Sequence, residues 1–490
     1  MIIKIVTKER KKAKKAKVIS QKRKEKNVYK RKKQRIRKRL LAKKVALSEK
    51  HDDLGRYLLV GFQEILTIHL PDLENRLNGL VDNRCKKKYS MASIIFAGIM
   101  LYALKQESRH QMNESRKCKK FKRNYERAFK LKLPHMDTVT TVLESLNPEL
   151  LEKLTIELVK NLIAKRVFYR FRLLKKSYTI AIDATGYASY EKKPNWSCPY
   201  RVYSSKKENV ADKIVWIQPI LSAKLVFSNG FCVQLLTEWV INDEKYEKQD
   251  CELKAFKRLA ERLKNYFPRL FICILADGLY TNNTFFEICE KYNWTFITVL
   301  KDKQLKEIQE EISRFEQLYA KNKMAISVAK STISGYEQNF RWVNGLAYNK
   351  QTLSWCELKE EEYTVKNNTT KTTRFVFLTN LPIDKKVVED IVRGGRLRWK
   401  IENEGFNYQK NGGYKLKHKI CRTNFNALQN FMHCLQIAHL IEQLLTLTKQ
   451  FEVEIKKYFS IKHCYKRLIA FLFEGDFNNQ PDFQWILRYP

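Results

Sequence analysis

The sequence predicts a mixed α/β fold, in which an all-α N-terminal domain precedes a mixed-sheet core and a helical region follows it. Two patterns lead to this prediction. Apolar residues recur at three- and four-residue spacing between about residues 50 and 170, which is the period of amphipathic helices. Between residues 177 and 300, runs of β-branched and aromatic residues alternate with helical patterns. Because a chain of 490 residues with 44% hydrophobic content exceeds what one hydrophobic core usually supports, we expect two or more domains.

The first 44 residues are a low-complexity basic segment. They contain 22 Lys and Arg and only two acids, Glu9 and Glu25, so this segment carries about +20 of the net charge of +43. We predict a largely disordered arm that adds sequence-independent affinity for phosphates. The charge of the chain indicates a polyanionic partner, either nucleic acid or an anionic membrane surface. We favour nucleic acid, because the longest apolar run, residues 91–104, is too short to span a bilayer and predicts a buried core helix.

Five strands are predicted in the core. The second and third are expected to form a hairpin across Ser228, Asn229 and Gly230. Their apolar character fits a layer whose central strands are buried on both faces. The predicted strands are residues 177–183, 214–227, 231–241, 270–276 and 294–300, and the predicted helices between them are residues 245–265 and 284–292.

Two aspartates stand where predicted strands end. Asp183 ends the first strand and Asp277 ends the fourth, a position at which open α/β sheets commonly present ligand-binding carboxylates. Two carboxylates beside a polyanion would repel each other unless divalent cations lie between them. Mg²⁺ or Mn²⁺ held in this way can activate a water molecule and stabilise a leaving oxygen. The alternative is that each aspartate only forms a turn.

A third acid is expected, and residues 396–410 (RLRWKIENEGFNYQK) supply it. In a helix, Arg398 and Glu402 share one face, whereas Glu404 lies about 200° round from Glu402. We choose Glu402 for the site, because apolar side chains mark its surroundings as a surface that packs inward. These side chains are Trp399, Ile401 and Phe406. The alternative is that Arg398 and Glu402 form an ordinary surface helix pair.

Together, DATG with Asp183, ADGLY with Asp277 and RLRWKIENEGFNYQKNGGY with Glu402 resemble the DDE transposases of bacterial insertion sequences, in the branch with a Tyr-Arg-Glu-Lys signature. The resemblance covers roughly residues 90–447, and the third motif is its most specific part. It implies a ribonuclease H-like catalytic core with a β-rich insertion at about 320–380. It also implies two divalent metal ions bound by the three acids, Mg²⁺ or Mn²⁺, and a homodimer that pairs two element ends.

The signature departs from the family pattern at two positions. Gly395 stands where the family has tyrosine, and Gln409 stands where it has lysine, with Lys410 one residue further. Arg398 and Glu402 match. In the family the arginine and the lysine bind phosphates near the cleaved end, and the resemblance carries this DNA-binding role to Arg398 and Lys410.

The function that the resemblance implies is that of a DNA transposase, which cleaves and joins DNA at the ends of its own insertion sequence. Its partners would be transposon ends and target DNA, with no membrane partner. Two alternatives stay open: a structure-selective DNA nuclease with the same site, and a non-catalytic DNA-binding protein derived from a transposase. The predicted domains are a basic arm (1–44), a helical DNA-binding domain (45–170), the transposase core (171–447) and a C-terminal helical tail (448–490).

Other reactive side chains do not suggest a further site. Eleven cysteines without a CxxC pair or zinc spacing, and no apolar signal segment, predict a reducing compartment, which the resemblance narrows to the bacterial cytoplasm and its nucleoid. His433 and His439 are expected to be packed in a helix. Trp342 and Trp355 are expected to be sheet residues, with stacking on an unpaired end base as the alternative for one of them.

Overall fold

The computed structural model of the chain is mixed α/β, which confirms the predicted class. The basic arm and its predicted role lie outside the described residues. The structure describes residues 54–204, 212–242, 250–322, 327–333, 336–364, 369–418, 420–456, 459–477 and 487–489.

Seven α-helices precede the sheet in this part of the chain, as the helical periodicity predicted. Local signals fix their starts: the side chain of Ser90 accepts a hydrogen bond from the Ser93 amide, and Asn147 precedes Pro148 in the same capping role. The helices are α1 (Leu54–His69), α2 (Leu73–Asn78), α3 (Met91–Ala103), α4 (Arg109–Lys117), α5 (Lys119–Phe129), α6 (Met136–Ser145) and α7 (Pro148–Ala164).

Helix α3 contains the longest apolar run, and every one of its residues is buried, as predicted. Its all-round apolar surface needs partners on every side, which only a core position provides. Among the residues that the structure describes, none of the helices combines the length and the apolar character needed to cross a membrane.

Ten described strands pair into one mixed, open sheet. Its order is β2-β3-β1-β5-β6-β10-β9-β8-β7, with β4 also pairing to β3. The pairs β1–β5 and β5–β6 are parallel, and the other pairs are antiparallel. The strands are β1 (Tyr178–Tyr190), β2 (Tyr200–Tyr203), β3 (Lys213–Val226), β4 (Cys232–Trp239), β5 (Ile272–Ala276), β6 (Thr295–Val299), β7 (Ser327–Ile333), β8 (Tyr336–Tyr348), β9 (Gln351–Thr364) and β10 (Thr369–Thr379).

Seven further described α-helices lie between or after the strands. They are α8 (Glu252–Tyr266), α9 (Asn283–Lys291), α10 (Lys306–Asn322), α11 (Val388–Leu397), α12 (Tyr408–Asn411), α13 (Phe425–Thr446) and α14 (Ile461–Glu474). Two π-helices, Ile401–Asn407 and Phe451–Lys456, flank α12 and α13.

The predicted hairpin is confirmed. Strands β3 and β4 are antiparallel, and Gly230 has a φ of +102° in their turn, which a residue without Cβ adopts at no steric cost. Helix α8 begins at Glu252; the beginning of the predicted helix 245–265 falls on residues outside the described part of the chain.

Strand β1 is longer than predicted, and the prediction that Asp183 ends it is wrong. The parallel pairing with β5 ends at Ala181, but the antiparallel pairing with β3 continues to Tyr190. A register shift between Gly186 and Ala188 accommodates this glycine within the strand, so the chain does not turn there. The strand continues because β3 supplies backbone partners along its whole edge, and such a partner cannot be seen in the local sequence.

The stretch predicted as a β-rich insertion contains β7 to β10. These strands continue the central sheet, because Phe377–Thr379 of β10 pairs with β6. Trp342 and Trp355 are 6% and 1% exposed in this region, so both rings are core residues and neither is open for stacking.

Helices from both ends of the chain share one buried core with the sheet. Helix α13 packs against α1, α3, α6, α7 and β4, and α14 packs against α1 and α5. His433 and His439 of α13 are 5% and 2% exposed, as expected for packed side chains. The predicted domain boundaries at residues 170 and 447 stay predictions.

Candidate active site

Asp183 and Asp277 are at equivalent positions of two neighbouring chain segments, Asp183 within β1 and Asp277 directly after β5. In the parallel register of β1 and β5, Ala181 faces Leu275, and the two aspartates come two residues later on each chain segment. Asp277 is the first residue after β5 and begins a 3₁₀ turn, Gly278–Tyr280. Its Oδ1 accepts a hydrogen bond of 2.8 Å from the Leu279 amide. The turn-forming role proposed as an alternative is therefore real for Asp277, and it fixes this carboxylate beside β1.

Glu402 reaches the site from the π-helix, which contacts β1 and β4. Ile401 and Phe406 are 0% and 2% exposed, so the predicted inward surface is buried. Trp399 is 49% exposed, and its assignment to that surface is wrong; it precedes the π-helix and is covered on one face by the Arg398 guanidinium, 4.7 Å from the ring centre.

Glu404 points to a different set of side chains. It forms an ion pair with Lys400, four residues earlier, and its charge acts on the Cys232 thiol of β4. The charge of Glu402 instead acts on Asp183. The two glutamates thus face different neighbours, as the helical angle between them predicted.

The three predicted acids interact electrostatically. The pKa of Asp183 is raised from 3.8 to about 6, mainly by burial, and the neighbouring Asp277 and Glu402 charges contribute in the same direction. The Arg398 guanidinium and a 3.0 Å hydrogen bond from the Ala184 amide act in the opposite direction. Acids from three distant parts of the sequence are therefore close enough for Asp277 and Glu402 to act on the charge of Asp183, whose ionised form burial makes unfavourable.

Arg398 is inside the site and not on the surface of its helix. The residue is 8% exposed, and its Nη1 lies 3.9 Å from Oδ2 of Asp183. Its buried Nε has no hydrogen-bond partner in the described part of the chain. Its nearest carboxylate belongs to another element, so the site itself, and not only a surface helix pair, accounts for its position.

Lys410 reaches the site, whereas Gln409 does not. The Lys410 Nζ donates a 2.8 Å hydrogen bond to Oγ1 of Thr185. Burial lowers the pKa of Lys410, while the charges of Glu402 and Asp183 oppose this change. Gln409 is 0% exposed and hydrogen-bonds to buried polar side chains. These are Lys224, Gln436 and His439.

The π-helix accounts for the fact that Lys410, and not Gln409, reaches the site. Seven residues make about two turns of an α-helix, so positions 402 and 409 would share a face in regular geometry. A π-helical segment accommodates one extra residue in its wider turn. The residue eight positions after Glu402, Lys410, therefore comes to the face that the seventh residue would occupy in a regular α-helix.

Two charged residues near the site were missed by the sequence reasoning. Lys301 follows β6, and its Nζ lies 3.6 Å from Oδ2 of Asp277. Its stem covers Gly278, where a Cβ would come 2.8 Å from the lysine Cδ. Glu252 is the first residue of α8; burial raises its pKa, and the charges of Asp183 and Asp277 act in the same direction. Lys301 directly after a strand was a usable signal, but Glu252 lacks any local signal.

The donor chemistry fits divalent cations. Carboxylate oxygens are the ligands that Mg²⁺ prefers, and Mg²⁺ usually takes one or two carboxylates, several waters and substrate phosphates. Within the described ranges, no group of three or more His, Cys, Asp or Glu side chains is placed so that it could hold a metal ion.

Neither a protein-family model nor a curated protein matches the chain.

Proposed function

We propose that the protein is a DNA transposase that cleaves and joins DNA at the ends of an insertion sequence by metal-dependent phosphoryl transfer. The observation that carries the proposal is that the charges of Asp277 and Glu402 act on Asp183, which lies 3.9 Å from the Arg398 guanidinium. The net charge of +43 indicates a polyanionic partner. Carboxylates at a site that binds its phosphates need cations between the two sets of negative charges.

The order of the sheet supports the proposal. Three antiparallel strands, β4, β3 and β1, continue into the parallel strands β5 and β6, and α8 and α9 precede those two strands. This order is consistent with the ribonuclease H-like core that the resemblance implies, with β7 to β10 as the insertion.

The chain's own residues have separate tasks in this mechanism. Asp183, Asp277 and Glu402 would hold two Mg²⁺ or Mn²⁺ ions, which supply activation of the attacking hydroxyl and stabilisation of the departing 3′ oxygen. Arg398 and Lys410 would hold phosphate oxygens, the first through the planar fork of its guanidinium. Lys301 adds a third positively charged side chain, which lies beside Asp277. The proposed active form is a homodimer on paired DNA ends in the bacterial nucleoid.

Strand transfer distinguishes transposase from the alternatives. The substrate is the DNA that flanks the gene, prepared either uncut or precut with a free 3′-hydroxyl at the element end. With Mg²⁺, we expect the precut end to be joined to a supercoiled plasmid. A structure-selective nuclease would cut the uncut DNA and leave the precut end unjoined, and a non-catalytic protein would bind both substrates without either reaction.

Arg398→Lys tests whether this residue positions DNA. We expect the variant to retain its fold and its metal binding yet to lose about 10²-fold in cleavage rate, because one ammonium cannot reproduce a two-pronged phosphate contact and small geometric errors are costly. Cleavage is measured with Mg²⁺ and end binding with Ca²⁺. If Arg398 serves only to neutralise Asp183, Arg398→Lys keeps most activity, and Arg398→Ala lowers the melting temperature more than the affinity for DNA.

A further inference from the structure

Glu252 has an unusual position for the first residue of a helix. Its Oε1 accepts a 2.7 Å hydrogen bond from the hydroxyl of Tyr280, the last residue of the turn that Asp277 begins. Tyr280 is 1% exposed, and its ring packs between Phe256 of α8 and Phe285 of α9. The turn that carries Asp277 therefore also fixes the Glu252 carboxylate.

Glu252 faces the same space as the residues that follow Asp183. A cavity of about 480 Å³ is lined by Glu252 together with Ala184 and Thr185 of β1. Thr185 also accepts the hydrogen bond from Lys410. The charges of both Asp183 and Asp277 act on Glu252.

Arg398 gives an independent indication that this group of carboxylates takes a ligand. Its side chain is more than nine-tenths buried, it lies 3.9 Å from Asp183, and its Nε has no hydrogen-bond partner among the described residues. A buried guanidinium donor without a partner is costly. An anionic group that enters beside the carboxylates, such as a phosphate bridged by cations, would satisfy it.

We propose that Glu252 is a fourth carboxylate of the catalytic centre, facing the divalent cations directly or through a bound water, and that Tyr280 is its positioning residue. This inference rests on the proposed function. It adds a ligand from α8 to those from β1, from the turn after β5 and from the π-helix. A fourth acid also adds negative charge that helps to retain cations before DNA supplies its phosphates.

The competing explanation is structural. A negative charge at a helix N-terminus is favourable, and Glu252 also satisfies the buried Tyr280 hydroxyl. A glutamine at position 252 still offers an oxygen to that hydroxyl but binds a hard divalent cation less strongly. Glu252→Gln therefore separates the two roles without leaving a buried hydroxyl unpaired.

The experiment measures Mn²⁺ binding to the full chain without DNA, from the electron paramagnetic resonance signal of free Mn²⁺. We expect Glu252→Gln to weaken Mn²⁺ binding about tenfold or more, and Tyr280→Phe to weaken it less, in line with the effect of residues that support metal ligands. Glu261→Gln, an exposed position on the same helix, is the matched control and should bind as wild type. Melting curves establish that each variant is folded.

Asp183→Asn separates this inference from the proposed function. If Asp183→Asn weakens Mn²⁺ binding while Glu252→Gln and Tyr280→Phe both match the control, Glu252 is structural and the transposase proposal stands. If none of the three variants changes Mn²⁺ affinity, both proposals fail. Should Glu252→Gln not fold, unchanged binding by Tyr280→Phe alone overturns the positioning by Tyr280 and with it the inference.

Discussion

Alanine at Asp183, Asp277 or Glu402 is expected to abolish Mg²⁺-dependent cleavage and joining, with a loss of about a thousandfold or more in each case. Removing one carboxylate from an open site removes several kcal/mol of transition-state stabilisation, and each 1.4 kcal/mol corresponds to about a factor of ten in rate. DNA binding should persist, because Arg398, Lys410 and the basic arm stay in place. The measurement is single-turnover cleavage of labelled element ends, with end binding in Ca²⁺ as the reference.

Glu404→Ala is the matched control for Glu402→Ala, since both residues lie on the π-helix. Glu404 pairs with Lys400 and faces Cys232, so its removal should be mild in activity. Equal losses from the two substitutions would show that the π-helix as a whole, and not the Glu402 carboxylate, is what matters. Full activity of Glu402→Ala would refute its place in the site.

The local sequence was sufficient to predict the positions of several residues of the candidate site. Asp277 follows a short apolar strand and caps a turn, and both features are visible in the residues around it. Arg398 and Glu402 are four residues apart, so their common direction could also be predicted from helical spacing. The length of β1 could not be predicted from the local sequence. The strand continues past Asp183 only through its pairing with β3, which lies more than twenty residues later in the chain.

The positions of Lys410 and Glu252 depend on packing between distant elements. The π-helix lies close against β3 and β4: a Cβ at Gly405 would come 3.1 Å from the Cys232 sulfur and 3.5 Å from the Lys224 Nζ. No spacing rule reports such an approach, so sequence could not decide between positions 409 and 410. Glu252 is held by a hydrogen bond from Tyr280, and a contact across 28 positions leaves no periodic signal.

Asp183→Asn is expected to stabilise the metal-free protein at neutral pH while it abolishes activity. The pKa of Asp183 is raised from 3.8 to about 6 in the fold, mainly by burial, and its side chain is 26% exposed. The folded state thus binds more protons than the unfolded state between these two pKa values, so the stability contributed by this group falls as pH rises through that window. At about 1.4 kcal/mol per pKa unit, the ionised group costs up to about 3 kcal/mol above pH 6.

Chemical denaturation without divalent ions at several pH values from 4 to 7.5 measures this cost. The free energy of unfolding of Asp183→Asn, relative to wild type, should grow by about 1–3 kcal/mol across the series, and Glu261→Gln should show no such trend. Mg²⁺ should then stabilise wild type and leave Asp183→Asn unchanged, because a ligand that binds only the folded state adds its binding free energy to stability. A difference that does not vary with pH, or a less stable Asp183→Asn at pH 7.5, would mean that Arg398 and the Ala184 amide outweigh burial. In that case the ionised Asp183 carboxylate would destabilise the fold little, and the metal-free site would not need a cation to offset its charge.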